Sequence, residues 1–157
     1  MSLNIDVSSE VARAPLSAAR IRDIATIVLK AERVRDAMIS ITLVTSRHIA
    51  RLNQRHLAHA GPTDVISFAL GNAPGTTTRA VVVGDIYIAP DVARANAIRL
   101  GSGIREELAR LVVHGVLHVL GHDHPGDERR TTSPMWRRQE RLLERMSAKG
   151  IVTRSRR

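Results

Sequence analysis

The chain has 157 residues, 43% hydrophobic and 25% charged, and carries a net charge of +9. That length suits one domain able to bury roughly 70% of its unfolded surface. Cysteine is absent, which excludes disulfides and thiolate metal sites, and no apolar run approaches the roughly 20 residues that span a bilayer.

The first ten residues, MSLNIDVSSE, contain neither the basic stretch nor the apolar stretch of a secretory signal, so a cytoplasmic protein is expected. Leu3 to Val7 alternates as a short strand. A helix opens at Pro15 or Leu16 and ends near Arg33, with Ile21, Ile24, Ile27, Val28 and Ala31 on its inner face. Met38 to Val44 alternates as a second strand. Ser46 is expected to cap a short helix through Leu52, and Gly61-Pro62 marks a turn before a strand over Thr63 to Leu70. Residues 71–78 form a loop, and Ala80 to Ile88 is a β-branched strand. From Pro90 the chain reads as helical. One helix covers about 90–100, and a second covers about 104–120 with Ser102 as its cap and Glu106 and Glu107 in its first turns. Ser133-Pro134 starts a last helix with Met135, Leu142, Leu143 and Met146 inward, closed by Gly150. Early strands and late helices predict an α+β domain over 1–150 with a small mixed sheet of about four strands. A basic, disordered tail is expected over 151–157.

Four of the seven histidines fall within the eleven residues His114 to His124. His114 and His118 are four apart, so on a helix their rings share one face. Gly121 stops that helix, and the next residues can bring His124 back to the same point. Three imidazoles converging from a helix and its following turn form an open tetrahedral zinc site, with the fourth position left for water. The spacing matches the His-Glu-x-x-His-x-x-Gly-x-x-His plan of metzincin peptidases, except that Gly115 stands where their general base would be. The ligand geometry is kept and the peptidase's proton chemistry is missing, which points to a different substrate.

Charge indicates what kind. Residues 127–157 carry ten basic side chains against Asp127, Glu128, Glu140 and Glu144, a balance suited to a polyanion such as nucleic acid. Phe68, Tyr87 and Trp136 are the only aromatic residues, too few for an extended base-stacking platform, so an RNA partner would be held through phosphates and shape.

The segment Glu107 to His124 resembles the signature of the YbeY endoribonuclease family, whose usual form is His-Gly-x-Leu-His-Leu-x-Gly-Tyr-Asp-His. Other blocks agree in order: Leu52-Asn53, Pro62-Thr63-Asp64-Val65-Ile66-Ser67-Phe68, Gly84-Asp85-Ile86, and Met135-Trp136 before Glu140 and Leu143. The resemblance spans about residues 40–147. It implies an α+β fold with a central mixed sheet and one zinc ion on His114, His118 and His124. It also implies cleavage of single-stranded RNA, in maturation of the small-subunit rRNA 3′ end and in ribosome quality control, with rRNA and the small subunit as partners. Two positions depart from the family pattern. His122 replaces the motif tyrosine, and Gly121 is expected to turn it away from the ligands. Leu57 stands where many members have an arginine five residues after the Leu-Asn pair; Arg55, two residues earlier, is the candidate to take that role.

The implied chemistry is metal-assisted cleavage of an RNA phosphodiester, with attack by water or by the RNA 2′-hydroxyl. No obvious general base replaces the missing glutamate. Asp123 is the nearest carboxylate, as a base or as a group orienting a ligand histidine, and Asp64 and Asp85 are further candidates with structural alternatives. A second functional class is a ribosome-binding assembly factor whose zinc is mainly structural and whose nuclease activity is slight.

Overall fold

The computed structural model describes residues 1–57, 61, 63–71 and 81–155. Four strands, β1 (Ser2–Ser9), β2 (Asp36–Leu43), β3 (Val65–Gly71) and β4 (Val82–Ile88), form one mixed sheet in the order β1-β2-β4-β3. β1, β2 and β4 run parallel, and β3 pairs antiparallel with β4 at the edge. The helices are α1 (Ala18–Ala31), α2 (Ser46–Leu57), α3 (Pro90–Leu100), α4 (Ile104–Val119) and α5 (Pro134–Ala148), with a 3-10 turn at Glu128–Thr132. The α+β class and the four-strand mixed sheet agree with the expectation from sequence.

Side chains alternate between the two faces of each strand. On one face Ile39, Ile41, Ile86 and Ile88 join the main core with α1, α4 and α5. On the other, Ile66, Phe68 and Tyr87 pack under α2 against Ile49 and Leu52. Asn53, beside Leu52, is buried and donates from Nδ2 to the Gly61 carbonyl at 3.0 Å, so the Leu-Asn pair anchors α2 and the turn before β3.

Helix ends follow local hydrogen bonding, and several shift from the sequence reading. α1 begins at Ala18 because Ser17 Oγ accepts the Arg20 amide at 3.1 Å. Thr45, not Ser46, caps α2 by accepting the His48 amide at 3.1 Å, and the helix runs to Leu57. Gly103 occupies the cap position of α4 with no side-chain bond, in place of Ser102. Ser133 caps α5 as expected, accepting the Trp136 amide at 3.2 Å while donating to the Arg130 carbonyl at 2.7 Å. The expected loop over 71–78 and the strand residue Ala80 lie outside the described residues, except Gly71, which ends β3.

The tail expected to be disordered from 151 is instead held to the body through Ser155. Val152 is buried, the Ser155 amide donates to Glu106 Oε1 at 3.1 Å, and Arg154 pairs with Glu140 and Glu144 at 2.9 Å. Glu106 is buried at the start of α4, and burying a carboxylate is favourable only with such partners.

α4 is the element around which the others are arranged; every residue from Glu106 to Leu117 is buried. It lies unusually close to β4. A Cβ on Gly115 would fall 2.8 Å from Ile86 Cγ2, and one on Gly84 would fall 2.5 Å from Val119 Cγ1. Gly115 therefore faces the sheet, away from the histidines, and a side chain fits there only if Ile86 or the helix moves. Gly115→Ala should destabilise the metal-free protein by about 1–3 kcal/mol through overpacking, and by clearly less in an Ile86→Ala background. Urea unfolding of the four species in chelator measures this; equal losses in both backgrounds would contradict the packing assignment.

Candidate metal centre and its cleft

His114 and His118 project from one face of α4, and Gly121, at φ +100°, turns the chain so that His124 returns to them. The His124 Nε2 lies 3.2 Å from His114 Nε2 and 3.1 Å from His118 Nε2. Each opposite ring nitrogen faces an oxygen. His114 Nδ1 is 2.6 Å from Gln139 Oε1, His118 Nδ1 is 2.9 Å from the His122 carbonyl, and His124 Nδ1 is 2.8 Å from the Pro125 carbonyl. The two carbonyls can only accept, so in His118 and His124 the proton sits on Nδ1 and the lone pair on Nε2. Gln139 has the same effect on His114, because its Nε2 donates to Glu140 Oε2 at 3.0 Å and leaves Oε1 toward the ring.

Three Nε2 lone pairs are thus brought together with no proton among them, an arrangement that repels itself unless a cation lies at the centre. Tetrahedral zinc with nitrogens at about 2.05 Å places them about 3.3 Å apart, close to the spacing found. The three histidines form a group able to hold a metal ion. Burial pushes His114 down to about 3, and the neighbouring His118, Arg130 and His124 add to this against the opposing effect of Gln139. Burial and His124 likewise lower His118. Both shifts favour the neutral, ligating form.

The triad faces a cleft of about 420 Å³, lined also by Asp64, Ser67 and Ala69 around β3 and by Arg130. Asp64 is the only carboxylate among its described lining residues. Its Oδ2 accepts from Asn96 Nδ2 at 3.2 Å. Asp123 is exposed outside the cleft, where its Oδ1 accepts the His124 amide at 2.8 Å and shapes the ligand turn. Asp85 is likewise outside, accepting from Ser40 Oγ at 2.7 Å across the sheet. Arg55 is exposed on the last turn of α2 and does not line the cleft. His122 points away from the triad, with Nε2 2.8 Å from Glu32 Oε1, and Glu32 also meets Arg138 at 3.2 Å.

Two residues of the site lie outside every motif of the sequence, Gln139 and Arg130. Gln139 is fully buried on the inner face of α5 with Met135, Leu142, Leu143 and Met146; a polar side chain at an apolar position of that period was the available signal. Arg130 sits in a run of basic residues whose other members are solvated, and nothing local distinguishes it.

The fold and the triad define an α+β protein with an open three-histidine metal centre. The model of the family described as Endoribonuclease YbeY matches residues 5–147, and the chain belongs to that family. Among its relatives is an Endoribonuclease YbeY of Thermobifida fusca, 38% identical over 127 residues that cover 78% of this chain and 81% of that one. Another, of Bacillus licheniformis, is 35% identical over 153 residues covering 92% and 96%. A solution structure from Thermotoga maritima shares the fold with a TM-score of 0.61 at 23% identity, covering 93% of this chain and 91% of its own.

Gln139→Leu removes the oxygen that orients His114 while keeping the volume near constant. Divalent-metal affinity should fall about 10–100-fold without loss of fold. Competition against a chelating dye measures it, and unchanged affinity would show that Gln139 does not orient the ligand.

Proposed function

We propose that this chain is a zinc-dependent endoribonuclease specific for single-stranded RNA. The carrying observation is the convergence of three Nε2 atoms, each ring held by an oxygen at Nδ1, at the wall of an open cleft. The donor set is nitrogen only, which suits zinc among the common divalent ions. Structural zinc sites are closed by four protein ligands, whereas here three ligands face a cleft. That openness favours catalysis over the reading as an assembly factor with a mainly structural zinc.

When bound, zinc would supply Lewis acidity toward a phosphoryl oxygen and lower the pKa of a water molecule to about 7. The residues of the chain do the rest. His114, His118 and His124 would hold the ion through Nε2, and Gln139 and the two carbonyls fix their tautomers. Asp64, which lines the cleft and accepts from Asn96 through Oδ2, is the carboxylate available as the proton acceptor that the absent glutamate would have been. Arg130 brings positive charge to the cleft, where it would face a phosphate.

RNA as the class of substrate follows from the names of the relatives and from the net charge of +9. The finer assignment, to the 3′ end of small-subunit rRNA and to quality control on the ribosome in the cytoplasm, rests on the motif blocks. No helix among the described residues is long and apolar enough to cross a membrane.

Purified protein should carry about one zinc per chain and cleave a single-stranded model RNA while sparing a duplex. His114→Ala should lose both metal and cleavage. Equal cleavage by wild type and variant would mean a contaminating nuclease and would leave the assembly-factor reading standing.

A further inference from the structure

A second cleft, of about 350 Å³, opens beside the metal cleft and shares Asp64, His114 and Arg130 with it. Its volume falls at the lower end of ligand pockets. One wall is apolar, from Trp136, Leu100 and Leu111, and Asn96 and Arg99 supply polar groups. We propose that this cleft is a nucleotide subsite, in which Arg130 binds a phosphate and Trp136 packs against the base. Its placing next to the scissile phosphodiester rests on the nuclease reading above.

The cations of this cleft are not equivalent. Arg110 is consumed inside the protein, with Nη1 2.8 Å from Glu107 and Nε 3.0 Å from Glu140. Arg99 donates to Asn96 Oδ1 at 3.0 Å. Arg130 has no carboxylate partner among the described residues, and its Nε is buried with no acceptor. Its guanidinium carbon lies 5.8 Å from the centre of the Trp136 ring, a distance at which the ring holds the cation without satisfying its N–H groups. A buried guanidinium N–H without an acceptor is costly. A phosphate oxygen entering between the two clefts would supply the acceptor, and the planar fork of arginine suits it.

The geometry of the pair is fixed by the chain itself. Ser133 Oγ donates to the Arg130 carbonyl and accepts the Trp136 amide, so the 3-10 turn that carries Arg130 and the helix that carries Trp136 move as one. Asn96 is oriented at both ends, accepting from Arg99 and donating to Asp64, which leaves its second amide hydrogen and the remaining Arg99 donors for a base edge. A single aromatic wall accommodates one base and no more, in keeping with how few aromatic residues the chain contains.

Trp136 is the only tryptophan, so its emission reports on this cleft without reference to turnover. Adenosine 5′-monophosphate titrated into the zinc-loaded protein should change that emission saturably. Arg130→Ala should weaken the response about tenfold or more, and Arg130→Lys, which keeps the charge but loses the fork, should weaken it less. Arg141→Ala, an exposed change on α5, should titrate like wild type, and inorganic phosphate, which occupies Arg130 but brings no base, should compete with the nucleotide and weaken its apparent binding. Absence of a saturable change at millimolar nucleotide, or wild-type titration by both Arg130 variants, would overturn the subsite. A protein that binds the nucleotide yet cleaves no RNA would refute the nuclease reading and leave the subsite intact. One that cleaves RNA with no response at Trp136 would refute the subsite alone.

Discussion

Helix α4 can lie against β4 as closely as it does only because glycine occupies both points of contact, Gly115 on the helix over Ile86 and Gly84 on the strand under Val119. The consequence reaches the chemistry directly. With Gly115 pressed to the sheet, the preceding residue, His114, faces α5 and the cleft. One turn on, His118 follows. A glutamate at position 115 would have to displace Ile86 or lift the helix from the sheet. The absence of a peptidase-like base is therefore a packing requirement of this fold, and in the proposed mechanism the proton acceptor comes from another element. Asp64, just before β3, is the carboxylate that the sheet order delivers to the cleft.

A chain of polar contacts connects the buried start of α4 to the metal ligands. Arg110 pairs with Glu107 and Glu140, Glu140 accepts from Gln139, and Gln139 faces the His114 ring. Burial alone would raise Glu140, but hydrogen bonds from Arg110 and Gln139 outweigh it and hold its carboxyl below the usual range. Burial pushes Glu107 above that range, against the pull of Arg110. Glu140 thus remains a reliable acceptor for Gln139, which in turn sets the tautomer of His114. The tail adds Arg154 to the same carboxylate at 2.9 Å. Of the ten basic side chains near the C-terminus, Arg154 is turned onto the protein's own carboxylates and is not part of a polyanion surface.

The sequence revealed the elements and the triad because both depend on short-range patterns. Alternation located the strands, the i, i+4 spacing paired His114 with His118, and Gly121 marked the return of His124. Caps were harder, since Thr45 and Ser46 offer the same chemistry one residue apart and only the amide geometry decides. The tail is hidden from sequence for a similar reason: its basic composition is that of a solvated segment, and the carboxylates that hold it, buried Glu106 on α4 and half-buried Glu140 on α5, lie some 50 residues or less away. Arg55 and Asp123 were attractive by proximity in sequence, yet the fold leaves Arg55 exposed on α2 and uses Asp123 on the His124 amide. Arg130 and Gln139 reach the site through tertiary packing of the 3-10 turn and α5, which no local pattern announces.

The most direct test of the account is a crystal of the zinc-loaded protein measured on both sides of the zinc absorption edge. The account predicts one strong anomalous peak per chain, about 2.0–2.1 Å from the Nε2 atoms of His114, His118 and His124, with its remaining coordination toward the cleft. Ligation through Nδ1, or a fourth ligand from His122 closing the site, would contradict it.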